Sequence, residues 1–232
     1  MGIINITPDS FFGDGVLGSK KLLQQSFLTA RDMGIKFLDV GCMSTKPNFT
    51  SIDKVDELNR FQYFLNNMNN EFKYSIDSNT VEVIDKALGS GFKVINDVFG
   101  FQNQEIINKA VEYGCGVILV HRHPFSQNIH EKMDYKDIVS EVKFQINKDI
   151  SRLIDSGLHE SQIAIDPGLG FGKKLEDSAR LLLEIENFAG EFPLIVGYSN
   201  KKFIDSASLP KDNLLDHCYN SGVSLVRLHI DK

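Results

Sequence analysis

The sequence predicts an α/β protein with a (β/α)8 barrel, or TIM barrel, on the basis of two observations. Short apolar runs alternate eight times with segments of helical periodicity along the 232 residues. The apolar runs are nearly unbroken in Ile, Val, Leu and Phe, which is typical of parallel strands buried on both faces. A chain of this length fits one domain, so we expect a single barrel domain over residues 1–232.

Eight strands are predicted, at 3–6, 35–40, 73–77, 92–96, 116–121, 162–166, 193–197 and 223–229. The helix after strand two is expected to bury an apolar stripe made of Val55, Leu58, Phe61, Leu65 and Met68. The helix after strand five is expected to bury Ile138, Val142, Ile146, Ile150 and Leu153. Strand ends of a parallel barrel converge on the face that carries the chemistry, so the polar strand ends are candidate site residues: Asn5, Asp39, Asp77, Asn96, Asp97, His121, Asp166, 197–201, Arg227 and His229.

The end of the predicted barrel is incomplete. Only residues 230–232 follow the eighth strand, so the eighth helix is expected to be missing from this chain. The seventh connection is expected to be short and weakly helical, with Pro210 in its middle. A gap in the helical layer would expose apolar surface. We therefore expect a homodimer or a closely associated second domain.

Composition restricts the class of partner. The net charge is −6, with 25 basic against 31 acidic residues, which disfavours binding to nucleic acid. Three widely spaced cysteines give neither a disulfide framework nor a CxxC metal pair, as is usual in a reducing cytoplasm. No stretch approaches the roughly 20 apolar residues that cross a bilayer. We expect a cytoplasmic protein without nucleic-acid or membrane partners.

A glycine-rich loop follows the sixth predicted strand, over residues 166–174. It is not a Walker A phosphate loop, because Pro167 stands where the first glycine is needed and Lys174 where Ser or Thr should follow the lysine. What remains is Asp166 at a strand end and Phe171 in the loop after it. An Asp before Pro-Gly also closes turns, and that alternative stays open.

Asp77 and Asn96 end the third and fourth predicted strands. Together with Asp166 they offer hydrogen-bond acceptors and donors that suit a flat, amide-rich heterocycle. A buried carboxylate that faces ring N–H groups discriminates strongly, because an analogue without them leaves it unpaired. Asp77 is also open to interpretation as the N-cap of the third helix.

The ends of strands seven and eight suggest an anion site. Ser199 and Lys201 supply a hydroxyl and an ammonium, and Arg227 and His229 alternate so that they point the same way along one strand. Barrel phosphate sites are frequently built from these two loops. The alternative is a solvated basic strand end.

Two metals can be considered. His121 and His123 lack a third nearby ligand, which disfavours zinc. Asn5 is a better candidate, for Mg²⁺, which takes oxygen ligands and usually retains waters and substrate phosphates. Asn5 alone could equally be a loop-capping amide.

Seven motifs in order resemble the dihydropteroate synthase family, and they span nearly the whole chain: residues 1–11, 39–47, 75–77, 95–97, 166–173, 197–201 and 227–229. The resemblance implies a (β/α)8 barrel and a transferase of folate biosynthesis. Such an enzyme joins 6-hydroxymethyl-7,8-dihydropterin diphosphate to 4-aminobenzoate and releases diphosphate and 7,8-dihydropteroate.

The resemblance also implies residue roles. The pterin would be held by Asp77, Asn96, Asp166 and Lys201. The diphosphate and Mg²⁺ would be held by Asn5, Arg227 and His229, with Thr45 in the loop after strand two. The aminobenzoate pocket would be shaped by Pro47, Phe171 and Ser199. The catalytic set would be Asp166, Lys201, Arg227 and His229.

The chain also departs from the family pattern. In the loop after strand two Cys42, Met43 and Lys46 replace Gly, Glu and Arg, and elsewhere Arg122, Asn200 and Ile230 replace Met, Arg and Asp. These departures motivate one alternative, a catalytically impaired pterin-binding paralogue. A second alternative is a pterin-dependent methyltransferase domain, which is similar in fold and in its pterin contacts; it would not need the anion site, whose presence argues against it. Some family members are fused to a pyrophosphokinase, so this chain is also open to interpretation as part of a longer folate-pathway polypeptide.

Overall fold

The computed structural model describes residues 1–7, 17–43, 53–126, 131–199, 203–204 and 213–230. In these residues eight strands alternate with seven α-helices and two short 3-10 helices. The strands are β1 Gly2–Asn5, β2 Phe37–Gly41, β3 Lys73–Asp77, β4 Val94–Asp97, β5 Gly116–Val120, β6 Ile163–Asp166, β7 Ile195–Gly197 and β8 Leu225–His229. The α-helices are α1 Lys20–Asp32, α2 Lys54–Leu65, α3 Val81–Gly89, α4 Gln104–Tyr113, α5 Ile138–Asp155, α6 Leu175–Leu183 and α7 Leu214–Asn220, and the 3-10 helices are Glu160–Gln162 and Ile185–Phe188.

All eight predicted strands are confirmed, with boundaries within two residues of those expected. The chain divides into two compact units, Met1–Asn96 with Leu228–Lys232, and Asp97–Arg227. In the first unit β1 pairs with β2, β2 with β3 and β3 with β4, all in parallel, and residues of β8 pair with β1. The prediction of a single domain stays a prediction.

The core of the first unit is rich in aromatic rings. Neighbouring ring centroids lie 5.1 to 6.4 Å apart in a cluster of Phe27, Phe61, Phe64, Phe72, Tyr74 and Phe92. Such pairs add stabilisation beyond the area that they bury. Sheet and helices are therefore fixed to each other around α2, which contributes two of these rings.

The apolar stripe predicted for α2 is partly wrong. The helix is capped by Asp53, whose side chain accepts from the amides of Val55 and Asp56, and Val55 in the first turn is exposed. Met68 lies beyond the last helical residue. The buried residues are Glu57, Phe61 and Phe64, at the spacing of one helix face. A carboxylate thus occupies a position on the face that packs inward.

In the second unit β5 pairs with β6 and β7 with β8, again in parallel. The stripe predicted for α5 is confirmed, because all five residues named for it are buried. The seventh connection contains α7, a helix of seven residues, and part of this connection lies outside the described residues, so the prediction that it is short and weakly helical stays a prediction. Ile230 is the last residue described, and the predicted absence of an eighth helix stays a prediction. Within the described parts of the chain, no helix combines the length and apolarity that a membrane span requires.

Candidate active site

Polar side chains form a row across the strand ends of the first unit. The register pairs Asn5 of β1 with Gly41 of β2, Gly41 with Asp77 of β3, and Asp77 with Asn96 of β4. A β-carbon on Gly41 would lie 3.7 Å from both Asn5 Oδ1 and the β-carbon of Asp77. Three of the predicted site residues are therefore brought together at one edge of this sheet.

Asn96 presents a buried acceptor in this row. Its Nδ2 donates to Asp39 Oδ2 at 3.0 Å, and Ser75 Oγ donates to Asp39 Oδ1 at 2.5 Å. Asn96 Oδ1 is buried and has no hydrogen-bond partner within the described residues. A buried acceptor left unpaired costs about 1–3 kcal/mol. The arrangement therefore favours a ligand that donates an N–H to Asn96.

Asp39 was predicted to end its strand, which is wrong. The register places it beside Ser75 and Ile3, two residues before Gly41, so Asp39 lies below the row. Its buried carboxylate fixes the Asn96 amide with Nδ2 inward. Asp39 is thus a positioning residue, and the partnership with Ser75 and Asn96 was not visible in the sequence.

Asp77 does not cap the third helix. The N-cap of α3 is Thr80, and Asp77 is the half-buried last residue of β3. The segment between them is tied to α2, because Ser78 Oγ donates to Glu57 Oε1 at 2.6 Å and the Thr80 hydroxyl donates to Glu57 Oε2. Glu57 is only 1% exposed.

The end of β8 lies next to β1, the strand that ends at Asn5. His229 pairs with Ile3 in the register, and Ile230 is buried beyond it. A β-carbon on Gly2 would lie 2.7 Å from Ile230 Cδ1, so Ile230 packs directly against that strand. The replacement of the family's Asp by Ile at this position therefore supplies an apolar packing contact.

Asp166 ends β6 in the second unit and is 6% exposed. Its Oδ1 accepts from the amide of Gly168 at 2.7 Å, and its carbonyl accepts from the amide of His121 at 2.8 Å. The turn-closing alternative for Asp166 is thus confirmed. The same bond fixes the direction of the carboxylate, so it does not exclude a binding role.

A buried ammonium holds the loop after β6. Lys173 is 3% exposed; its Nζ donates to the carbonyls of Gly168 at 2.9 Å and Phe171 at 3.1 Å, and lies 3.0 Å from His121 Nδ1. Burial, reinforced by Lys173, keeps the pKa of His121 well below its ordinary value. The imidazole is therefore neutral, and Nδ1 accepts from the ammonium.

His121 is thus held by Lys173. Among the residues that the structure describes, no group of three or more His, Cys, Asp or Glu side chains could hold a metal ion. Sequence reasoning considered Lys173 only as part of a phosphate loop. The signal that could have identified its role is a lysine that closes a run of glycines, whose loop carbonyls need a donor.

The other polar strand ends have partners within their own loops. Asp97 accepts from the amides of Phe99 and Phe101 at 2.8 Å each, and burial raises its pKa to about 6. Arg122 donates to Ser126, and its guanidinium lies 5.5 Å from the ring centroid of Phe99. The cation that replaces the family's Met is therefore bound locally, and Asp97 shapes the loop after β4.

The remaining predicted residues are only partly described. Arg227 pairs with Gly197 in the register of β8 and β7. Ser199, Arg227, His229 and Phe171 are all half-buried. Thr45, Lys46, Pro47, Asn200 and Lys201 lie outside the described residues, so their predicted roles stay predictions.

Comparison with known proteins identifies the family. The family model described as "Pterin binding enzyme" matches residues 1–229. The chain is 32% identical over 210 residues to the dihydropteroate synthase of Synechocystis sp., covering 88% of this chain and 72% of that protein. It is 28% identical over 238 residues to the "Probable bifunctional folylpolyglutamate synthase/dihydropteroate synthase" of Haloferax volcanii, covering 99% of this chain and 28% of that protein.

A solved structure of Xanthomonas albilineans dihydropteroate synthase with 4-aminobenzoic acid superposes with a TM-score of 0.82 at 26% identity, covering 98% of this chain and 86% of that one. Eight parallel strands that alternate with helices, together with this match, confirm the predicted (β/α)8 class. The molecule is an enzyme of the transferase class. The chain belongs to the pterin-binding enzyme family.

Proposed function

We propose that this chain catalyses the dihydropteroate synthase reaction in folate biosynthesis. It joins 6-hydroxymethyl-7,8-dihydropterin diphosphate to 4-aminobenzoate and releases diphosphate. The observation that carries the proposal is the row of Asn5, Asp77 and Asn96, in which the buried Asn96 Oδ1 lacks a partner among the described residues. A pterin supplies ring N–H and amino donors for such an acceptor.

The pterin is held by Asp77, Asn96, Asp166 and Lys201. Carboxylates accept strongly from ring N–H groups, since charge-assisted hydrogen bonds exceed neutral ones in strength. The aminobenzoate lies against Pro47, Phe171 and Ser199, with Thr45 in the loop after β2. The motif-by-motif agreement with the family supports this assignment.

In the reaction the C–O bond between the pterin methylene and the diphosphate breaks, and a C–N bond to the arylamine forms. The nitrogen then loses a proton to solvent. Positive charge develops on the methylene, and the Asp166 carboxylate stabilises it. Negative charge develops on the leaving group, and Arg227 and His229 stabilise it. The arylamine lone pair is available at neutral pH, so no strong base is needed.

The residues present fit a Mg²⁺ ion at Asn5. Its side-chain oxygen lies in the polar row, 3.7 Å from where a β-carbon on Gly41 would be. One hard protein oxygen is sufficient for an ion that retains waters and takes substrate phosphate oxygens. When bound, Mg²⁺ neutralises charge on the diphosphate. Asn5 would hold the ion, and Arg227 and His229 would bind the remaining oxygens of the diphosphate.

The proposal includes a cytoplasmic location and a homodimer or a longer folate-pathway polypeptide. Three buried cysteines without disulfides support the first. The homodimer is supported by apolar surface on α7, where Leu215 and Tyr219 are 55% and 80% exposed. The longer polypeptide is supported by the Haloferax relative, whose name describes it as bifunctional. Sedimentation of the purified chain at micromolar concentration tests for the dimer, and a compact monomer that binds no hydrophobic dye would contradict the need for a partner.

Titration with two ligands tests the residue roles. Asp166→Asn keeps the shape of the side chain and should weaken binding of hydroxymethylpterin and of its diphosphate alike, by about 2–4 kcal/mol. Arg227→Ala should weaken binding of the diphosphate ester only. Equal losses for both ligands in Arg227→Ala would show that β8 has a structural role instead.

The same titration separates the alternative functions. A methyltransferase domain has no use for the Ser199-x-Lys201 and Arg227-x-His229 pairs, so it should bind pterin without a preference for the diphosphate ester. An impaired paralogue should bind the ester but release no diphosphate.

A further inference from the structure

Helix α2 reaches the loops after two neighbouring strands through charged side chains of one helical turn. Glu57 accepts from the hydroxyls of Ser78 and Thr80, in the loop that follows Asp77. Arg60 Nη1 donates to the carbonyl of Cys42 at 3.1 Å, at the start of the loop that follows Gly41. Neither residue belongs to the set assigned to substrates.

Glu57 is buried deeply enough for its bonds to matter. It is 1% exposed and Ser78 is 4% exposed. Carboxylates are almost never buried unless they are paired, because removing the charge from water is costly. Two hydroxyl donors and the helix N-terminus offset that cost here, since Glu57 lies in the first turn of α2.

The Thr80 hydroxyl bonds Glu57 in place of the usual N-cap hydrogen bond of α3. As the N-cap residue of α3, its hydroxyl would ordinarily accept from an amide of the first helical turn. Instead α3 has no side-chain cap bond, and the hydroxyl donates to Glu57. The Thr80 amide donates to Ser78 Oγ at 3.1 Å, so the segment is bound at both of its hydroxyl residues.

The neighbourhood also includes Asp77 itself. The pKa of the buried Cys42 thiol is raised well above its ordinary value, first by burial and then by the charge of Glu57, with a smaller contribution from Asp77, while Arg60 opposes the shift. The two carboxylates and the guanidinium therefore all act on one buried atom. Cys42 directly follows Gly41 of the row, and its carbonyl accepts from Arg60 of the helix.

We infer that Glu57 and Arg60 are positioning residues. They hold the loops that follow Asp77 and Gly41, and thereby fix the Asp77 carboxylate for the pterin. The inference rests on the proposed function, in which Asp77 binds the pterin. It predicts that loss of the Glu57 bonds weakens pterin binding although Glu57 touches no substrate.

Titration of 6-hydroxymethylpterin into variants tests this role. Glu57→Gln keeps the volume but offers one acceptor oxygen for two hydroxyls, and we expect pterin affinity to fall about tenfold. Glu82→Gln is the matched control, because exposed Glu82 on α3 bonds Lys54 on α2 and so links the same two helices through a solvent-exposed ion pair. The control should bind pterin as the unaltered chain does.

A smaller substitution covers the case in which Glu57→Gln does not fold. Thr80→Val removes one hydroxyl and should weaken pterin binding several-fold, whereas Thr80→Ser restores the hydroxyl and should restore the affinity. The double variant Glu57→Gln/Thr80→Val should lose little more than Glu57→Gln alone, because both changes break the same contact. A merely structural role would alter the urea midpoint without this pattern in affinity.

The outcomes separate the two proposals. If the unaltered chain binds hydroxymethylpterin and both Glu57→Gln and Thr80→Val bind it equally well, the positioning role is overturned and the proposed function stands. If the unaltered chain itself does not bind hydroxymethylpterin, the proposed function fails and the positioning role with it.

Discussion

The loops that follow β3 and β6 each begin at a carboxylate assigned to the pterin, yet opposite charges hold them. The loop after Asp77 is built from Ser78, Asn79 and Thr80, and its hydroxyls donate to the buried carboxylate of Glu57. The loop after Asp166 is rich in glycine, and its carbonyls accept from the buried ammonium of Lys173.

The difference follows from what each loop can offer. Hydroxyl side chains can donate, so a buried acceptor satisfies them. Glycines have no side chains, so their loop presents backbone carbonyls that require a donor. In both loops the buried charge is satisfied by hydrogen bonds within its own unit. A buried charge beside a functional loop therefore need not bind substrate; it can fix the residue that does.

The largest expected effect is that of Gly168→Ala in the glycine-rich loop. Gly168 has φ +69, and a β-carbon there would lie 2.5 Å from the His121 carbonyl oxygen. We expect a loss of about 2–5 kcal/mol of stability, from left-handed strain of about 1–2 and overpacking of about 1–3 kcal/mol. Urea unfolding measures it.

Gly34→Ala is the matched control for that change. Gly34 has the same φ of +69 with nothing within 4 Å of the added β-carbon. It should show only the strain, about 1–2 kcal/mol. Equal losses at the two glycines would mean that the contact with His121 does not constrain the loop.

Lys173→Met should have the next largest effect. The change keeps most of the side-chain volume but leaves two carbonyls and the His121 imidazole without their donor, at a cost of about 2–4 kcal/mol. Lys174→Met, one residue further on, removes only an exposed ion pair with Asp134 and should leave the unfolding midpoint nearly unchanged. A Lys173→Met variant as stable as Lys174→Met would show that the ammonium does not hold the loop.

The pH dependence of stability should show a smaller effect, due to His121. Its folded pKa lies well below the ordinary 6.5, so below about pH 6.5 the unfolded chain takes up a proton that the folded chain does not. This group therefore makes stability fall as pH falls below about 6.5, by at most about 1.4 kcal/mol per pH unit.

One variant isolates the contribution of His121 to the pH dependence of stability. His121→Asn keeps an acceptor for Lys173 without a titrating ring, so its stability should depend less on pH between about 6.5 and 5. An unaltered slope in His121→Asn would contradict a neutral, buried His121.

The sequence alone was sufficient to locate the strands and most of the polar residues at their ends. Apolar runs located all eight strands within two residues, and the parallel register then brought Asn5, Asp77 and Asn96 into one row. The buried apolar residues of α5 could also be predicted, because a long helix repeats its apolar period several times.

The partners of buried charges could not be predicted. Glu57 is 21 residues from Ser78, and Lys173 is 52 residues from His121, so only the folded chain brings them together. The apolar period of α2 indicated Val55 and Leu58, whereas the cap at Asp53 exposes Val55 and turns Glu57 inward. Asp39 was wrongly named as a strand end because the strand continues to Gly41. The register of the sheet, which the sequence does not show, decides which residue reaches the edge.

Release of diphosphate is the most direct measure of the proposed activity. The purified chain, supplied with 6-hydroxymethyl-7,8-dihydropterin diphosphate and Mg²⁺, should release diphosphate only when 4-aminobenzoate is added, and should form 7,8-dihydropteroate in equal amount. Asp166→Asn should lower the rate sharply. Binding of the pterin diphosphate without any release dependent on aminobenzoate would contradict the assignment as a dihydropteroate synthase and leave a pterin-binding protein without this activity.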